Sequence, residues 1–297
     1  MNHGSSRNVG VMMLLACAAL WSLNGLLVKH TRADPIAFAA LRSAVAAVFV
    51  FPLMFLFRGS RPPVAAMSWS IVFHTLMVAF FIAAITLGTA ASGVILQYTG
   101  PAWVALIAWG IQGKRISRRT IAAVVLTCVG VMVMLLVPML RDASFDPVGP
   151  ACGLAAGIAF AALIVMLDKI DRDAAGANPL AIVFFNNLGT AVLLIPLVIA
   201  LDRFHLAPRQ VGLIAFCGIV QHALPYVLFQ FGLRRVTPVE ASLLILLEPI
   251  LSPTWVAIFI GERPSVWDVA GGAAIFIALL LEATKKSRRE VAHLPAE

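Results

Sequence analysis

Runs of apolar residues, broken by short polar or proline-bearing joints, recur along the chain at residues 9–28, 35–57, 68–87, 91–111, 119–138, 149–168, 179–200, 210–232, 239–260 and 266–284. Crossing a hydrocarbon layer takes about 20 helical residues, and a segment inside it must satisfy its own backbone N–H and C=O groups, as a helix does. The pattern therefore predicts an all-α polytopic membrane protein with ten transmembrane helices. Pro35 and Pro179 open the second and seventh runs, where a missing N–H is tolerated, and Pro138, Pro147 and Pro150 surround the joint between the fifth and sixth. The third and fourth runs almost touch. No joint exceeds roughly a dozen residues, which leaves no room for a soluble catalytic domain.

Composition removes the alternatives. Of 297 residues, 61% are hydrophobic and 12% charged, against about 45–50% and about 25% in a soluble domain. So few charges cannot cover a water-facing surface, which excludes secreted, cytosolic-enzyme and nucleic-acid-binding readings. The net charge of +8 is a topology signal instead. Counting Lys and Arg on alternate joints places 15 on the amino-terminal side, including Lys114, Arg115, Arg118 and Arg119, and 6 on the other side: Lys29, Arg32, Arg141, Arg203, Arg209 and Arg263. Arg42 is left within a span. This asymmetry predicts a multi-pass protein of the cell inner (plasma) membrane with both termini cytoplasmic. Cys17, Cys128, Cys152 and Cys217 lie in apolar runs with no paired spacing, so neither disulfides nor zinc are expected. The first run is longer than the core of a signal peptide and lacks a convincing cleavage site, and is read as a retained span.

An internal repeat organises the runs. Residues 113–117 read GKRIS and residues 261–265 read GERPS, 148 positions later; at the same offset Pro101 falls on Pro249 and His74 on His222. Asp34-Pro35 with Pro52 matches Asn178-Pro179 with Pro196 at an offset of 144, and Val9-Gly10 with Trp21 matches Val148-Gly149 with Phe160 at 139. The drift is what loop insertions produce. Each unit holds an odd number of helices, so the second copy is expected upside down relative to the first. The predicted units are residues 1–140 and 141–284, followed by a basic cytoplasmic tail over 285–297.

Ten spans in two five-helix halves, with a proline in the fourth and ninth helices followed by Gly-Lys-Arg or Gly-Glu-Arg at the helix end, resemble the EamA-type transporters of the drug/metabolite transporter superfamily. The resemblance covers nearly the whole chain and is greatest to bacterial amino acid exporters, the aromatic amino acid exporters included. It implies a secondary transporter that exports small metabolites, amino acids and among them aromatic or hydrophobic ones, by alternating access around a central cavity between the repeats. The first copy departs from the pattern with Lys114 where the second has Glu262, so any role tied to that acidic residue falls to Glu262.

Polar side chains at bilayer depth are costly, about 2.5–3.5 kcal/mol for a central charge on insertion scales, which makes each a functional candidate. Glu248, in the ninth run just before Pro249, is a carboxyl group poised for proton coupling, against the alternative of a protonated Glu bonded between helices. His222, Tyr226 and Gln230 stand at i, i+4 and i+8, a polar stripe beside Pro225. His222 is the second coupling candidate and His74 its repeat partner, although a lone buried imidazole more commonly just bonds a carbonyl. Gln97 and Tyr98 precede Pro101 by a turn, with Trp103 beyond it; Trp21 and Asn24 share a face of the first helix, and Phe160 replaces Trp21 in the second copy. Asn187, its neighbour Asn186, and Ser252 complete the expected cavity wall, unless they serve only as glue between helices. Trp69, Trp109 and Trp267 read as interfacial anchors. Arg42 is expected to anchor structurally, snorkelling to the surface rather than meeting an acidic side chain or a substrate carboxylate, because its repeat counterpart is Asn186.

No phosphate-binding Gly-rich loop occurs, so ATP has no site and no cofactor is expected. The expected partners are a small-molecule substrate, the lipid bilayer and protons, in a monomer or a homodimer. Two rivals stand beside the exporter: a flippase or carrier of lipid-linked or conjugated substrates, and a membrane-embedded enzyme. The enzyme would need clustered Asp, Glu or His at a membrane face, whereas Asp168, Asp171 and Asp173 are interleaved with Lys169 and Arg172 in an expected loop.

Overall fold

The computed structural model describes residues 3–57, 59–110, 113, 117–174, 176–233, 235–236, 241 and 244–291, with side chains described within 7–282. Its α-helices are α1 (His3–Ser22), α2 (Asn24–Thr31), α3 (Pro35–Leu53), α4 (Val64–Leu87), α5 (Ala90–Gln97), α6 (Gly100–Gly110), α7 (Arg118–Arg141), α8 (Val148–Asp173), α9 (Pro179–Ala200), α10 (Pro208–Phe216), α11 (Leu224–Leu233), α12 (Glu248–Phe259) and α13 (Val266–Val291). A π-helical segment, Cys217–Ala223, joins α10 to α11. No β-strand forms among the described residues. Among the described residues, eight stretches are long and apolar enough to cross a membrane: Arg7–Thr31, Pro35–Leu56, Val64–Leu87, Ala90–Gly110, Arg118–Arg141, Val148–Asp173, Pro179–Ala200 and Pro208–Leu233. They coincide with the first eight apolar runs, and α12 and α13 fall in the ninth and tenth.

One boundary differs from expectation for a clear reason. Asp168, Asp171 and Asp173 lie not in a loop but on the last turns of α8. The i,i+4 ion pairs Arg172–Asp168 (3.1 Å) and Lys169–Asp173 (2.8 Å) carry the helix beyond its apolar run.

The helix starts at Asp34 and Asn178 are built alike. Asp34 Oδ1 accepts from the backbone N–H groups of Ile36 and Ala37, and Asn178 Oδ1 from those of Leu180 and Ala181. Each then uses its second side-chain atom to grip the far end of the other helix. Arg203 Nη1, just past α9, donates to Asp34 Oδ2 at 3.0 Å. Asn178 Nδ2 donates to the carbonyls of Met54 and Phe57, just past α3, both at 2.7 Å. Start meets end in both cases, so α3 and α9 pack antiparallel along their length.

Further contacts pair α4 with α8, α1 with α11, α5 with α8, α12 with α1, and α7 with α13. In the last pair the backbones nearly touch: a Cβ at Gly130 would stand 2.7 Å from the Gly271 carbonyl oxygen. Outward faces remain apolar, with Val48 76% and Leu140 86% exposed, as hydrocarbon allows and water does not. At one end of the bundle Glu262 ties three joints together. It pairs with Lys29 at 2.9 Å and accepts from the Ala90 N–H at the start of α5, while Lys29 Nζ donates to the Gly88 carbonyl at 2.6 Å.

Candidate functional site

Backbone irregularities gather the polar residues. The first span breaks at Leu23, between α1 and α2; the fourth breaks at Tyr98–Thr99, between α5 and α6; the eighth carries its π-helical segment; and Leu246–Leu247 form a turn directly before α12. The fourth span and the ninth apolar run thus break 148 positions apart, each just before its proline, Pro101 or Pro249. Broken helices free backbone groups and admit polar side chains where regular helices would present only apolar ones.

Asn24 is the first residue after the Leu23 break, and its Oδ1 accepts from Arg42 Nη1 at 3.1 Å. Gln221, on the π-helical segment, offers Oε1 to the same nitrogen at 3.2 Å. Gly218, one turn before His222, lets this segment lie against α3: a Cβ there would stand 2.9 Å from the Arg42 carbonyl oxygen. Arg42 is 1% exposed, so it does not snorkel; its guanidinium lies 5.7 Å from the Phe38 ring centre, deep between α2, α3 and the π-helical segment.

His222 Nε2 lies 2.9 Å from Asn187 Oδ1, and Asn187 Nδ2 donates to the Val183 carbonyl. With its amide nitrogen committed there, Asn187 can only accept from the imidazole, so His222 carries a proton on Nε2. His74 Nδ1 lies 2.9 Å from Thr190 Oγ1, which also bonds Thr75 Oγ1. The imidazole centres are 6.3 Å apart, so the repeat partners do meet. From His222 a row of rings runs outward: Tyr226 at 5.3 Å, Trp21 at 5.2 Å from Tyr226, and Phe229 at 5.6 Å from Trp21.

On the other flank the Tyr98 hydroxyl donates to Glu248 Oε2 at 2.7 Å, across the breaks of the fourth span and the ninth apolar run. Ser252, one turn into α12, is fully buried against α2: a Cβ at Gly25 would stand 2.8 Å from its Oγ. Trp255 Nε1 donates to Ser22 Oγ at 2.9 Å and completes this seam. The structure therefore brings together Trp21, Asn24, His74, Asn187, His222 and Tyr226, with Tyr98, Glu248 and Ser252 on the adjoining seam. Trp103 and Phe160 make other contacts. Trp103 Nε1 donates to Thr99 Oγ1, one turn back on its own span, and Phe160 packs on Gly100. Gln97 and Gln230 are half-buried.

A family model described as the EamA-like transporter family matches residues 8–136 and again residues 148–283. The chain belongs to the EamA-like transporter family. This EamA-like chain is 27% identical over 273 residues to an uncharacterized transporter of Archaeoglobus fulgidus, covering 92% of this chain and 95% of the relative. A solved crystal structure of a protein shares its fold with a TM-score of 0.64 at 19% identity, over 95% of this chain and 98% of that one.

Two residues of the EamA-like chain's polar cluster escaped sequence reasoning. Gln221 and Thr190 are buried partners of Arg42 and His74. Gln221 adjoins His222 and lies one turn before Pro225, a signal that was available; Thr190 reads as any small residue on an apolar helix. Asn186 accepts from Ser70 Oγ at 3.0 Å, a helix-to-helix tie.

Proposed function

We propose that this protein is a secondary transporter of the inner membrane that exports amino acids, aromatic or hydrophobic ones among them, by alternating access around the Arg42–His222–Glu248 cluster. In this reading ten spans form two inverted five-helix repeats, residues 1–140 and 141–284, with both termini and the 285–297 tail in the cytoplasm. The observation that carries it is the coincidence of four helix interruptions with the buried polar groups, the arrangement by which transporters form a binding site at mid-membrane. Antiparallel α3 and α9, with reciprocal Asp34 and Asn178 grips, support the inverted repeat. The ring row Trp21–Tyr226–Phe229 suits an apolar or aromatic cargo.

Glu248 is the proposed coupling group. Tyr98 holds one carboxylate oxygen, which leaves the other to take up and release a proton as the site faces each side in turn. His222 is the alternative coupling group. The test is uptake and counterflow in proteoliposomes, with labelled aromatic and aliphatic amino acids against a sugar and a polyamine at two internal pH values. Saturable amino-acid counterflow, with pH dependence abolished in Glu248→Gln, is the expected outcome. Unchanged pH dependence in that variant removes Glu248 from the coupling role.

One observation favours a second reading, a carrier of lipid-linked substrates. An apolar groove of about 520 Å³ runs between α3 and α9, lined by Val48, Phe51, Phe184, Leu188 and Val192 among others, several of them on the outward face. Accumulation of a lipid-linked substrate without amino-acid counterflow would select it.

A further inference from the structure

Arg42 is held in place without being neutralised. Its Nη1 is shared between two uncharged amide oxygens, Asn24 Oδ1 and Gln221 Oε1. No acidic side chain pairs with it among the described residues, where ion pairs such as Lys29–Glu262, Lys169–Asp173, Arg172–Asp168, Arg203–Asp34 and His205–Asp202 form elsewhere. Its Nε is buried and donates to no protein atom, and Nη2 has no described partner. Nε and Nη2 form the side-on edge of a guanidinium, two parallel N–H groups spaced to match the two oxygens of a carboxylate. The protein thus commits one nitrogen to orientation and leaves the bidentate edge unused, at a depth where an unpaired cation is strongly disfavoured. A structural ion pair would be built the other way round, with a fixed acidic partner on that edge.

The one buried carboxyl group in the cluster is placed elsewhere. Glu248 accepts from Tyr98, not from Arg42, and its helix meets α2 through Ser252 and Gly25, next to Asn24. Tyr226, on the same span as Gln221, places its ring against Trp21 and His222. A guanidinium and a carboxyl group that do not pair with each other are complementary to a molecule that carries both a carboxylate and an ammonium group itself. Every element holding Arg42 and Glu248 lies at a helix interruption or beside one, so the geometry can open without breaking a regular helix.

We propose that Arg42 is the carboxylate anchor of the transport site, gripping the cargo's carboxylate through Nε and Nη2, while Glu248 receives its ammonium group. The assignment rests on reading the cluster as the transport site, and it narrows the cargo to carboxylates, with zwitterions preferred. It also links cargo to coupling, because ammonium and proton compete for the same Glu248 oxygen.

The test is ligand-dependent thermal stabilisation of the purified full-length protein by L-phenylalanine, L-phenylalaninamide and 3-phenylpropionate. The wild type is expected to favour phenylalanine over the amide by about tenfold or more, the size of a lost charge-assisted hydrogen bond. Phenylpropionate should fall between them. Arg42→Gln should erase the preference for acid over amide, Arg42→Lys should keep part of it, and Glu248→Gln should erase the preference for phenylalanine over phenylpropionate. Equal binding of acid and amide by the wild type overturns the anchor, as does a folded Arg42→Gln that keeps the preference, or binding of none of the three. If Arg42→Gln does not fold, the wild-type analogue series decides alone. Amide counterflow as fast as acid counterflow would leave an amine exporter standing without the anchor. Phenylpropionate binding through Arg42 with no amino-acid counterflow would keep the anchor and discard amino acids as cargo.

Discussion

Asp34 and Asn178, 144 positions apart, do the same two tasks: each caps its own helix and grips the end of its counterpart. Arg42 and Asn186 stand at the same offset and have nothing in common. Arg42 is buried between Asn24 and Gln221, whereas Asn186 merely accepts from Ser70. The same divergence holds at the 148 offset. His222 sits on a π-helical segment against Tyr226, while His74 sits on regular α4 against Thr190. Glu248 answers to Gly100, which only makes room for Phe160. The first span breaks at Leu23, whereas its counterpart α8 is continuous. Repeat symmetry therefore governs the bundle periphery and the helix starts, where it fixes how the halves pack. The centre is asymmetric, and the asymmetric residues are those proposed to carry the chemistry.

The largest contrast should come from Arg42→Met against Asn186→Ala. Removing Arg42 orphans the oxygens of Asn24 and Gln221, about 1–3 kcal/mol each, and should reduce counterflow by about tenfold or more. Asn186→Ala loses one neutral hydrogen bond, about 1 kcal/mol, with transport retained. Thermal unfolding and counterflow measured together would break the comparison if the two variants behaved alike.

Gly25→Ala should follow. A methyl there would lie 2.8 Å from Ser252 Oγ and 3.1 Å from the Ala90 methyl, an overpacking worth about 1–3 kcal/mol. Adding Ser252→Ala removes the closer atom, so the double variant should regain part of that loss; no recovery would mean that α2 and α12 do not meet in this way.

His222→Gln and His74→Gln should each cost about 1 kcal/mol of stability, yet only His222→Gln should impair transport severalfold. Equal transport defects would restore functional symmetry to the pair. Smallest is Glu262→Gln, which weakens the tie to Lys29, a partly exposed pair, by about 1 kcal/mol or less. The loss should shrink further in high salt, since screening already weakens the native pair.

Much of the architecture was legible in the sequence because a hydrocarbon solvent imposes a coarse code. Apolar run length placed eight spans, and Asp-Pro and Asn-Pro announced the two matched helix starts. The polar stripe on the eighth span correctly linked His222 with Tyr226, and the repeat linked His222 with His74. Arg42 was misread because snorkelling is the usual fate of a cation two turns into a span, and no local pattern shows that Asn24 and Gln221, 18 and 179 positions away, will converge on it. The break at Leu23 was equally hidden, since it carries no proline or distinctive composition, whereas Pro225, two residues past the π-helical segment, marked the irregularity of the eighth span.

Accessibility of Ser252 from the two sides of the membrane tests alternating access most directly. Ser252 is fully buried beside Glu248, and a Ser252→Cys variant in a background with Cys17, Cys128, Cys152 and Cys217 replaced gives a single reporter thiol. Alternating access predicts that a membrane-impermeant thiol reagent labels it from either face of oriented vesicles, and that saturating L-phenylalanine slows both reactions. Labelling from one face only, or from neither, while the variant still unfolds cooperatively, would contradict a central site that opens in turn to each side.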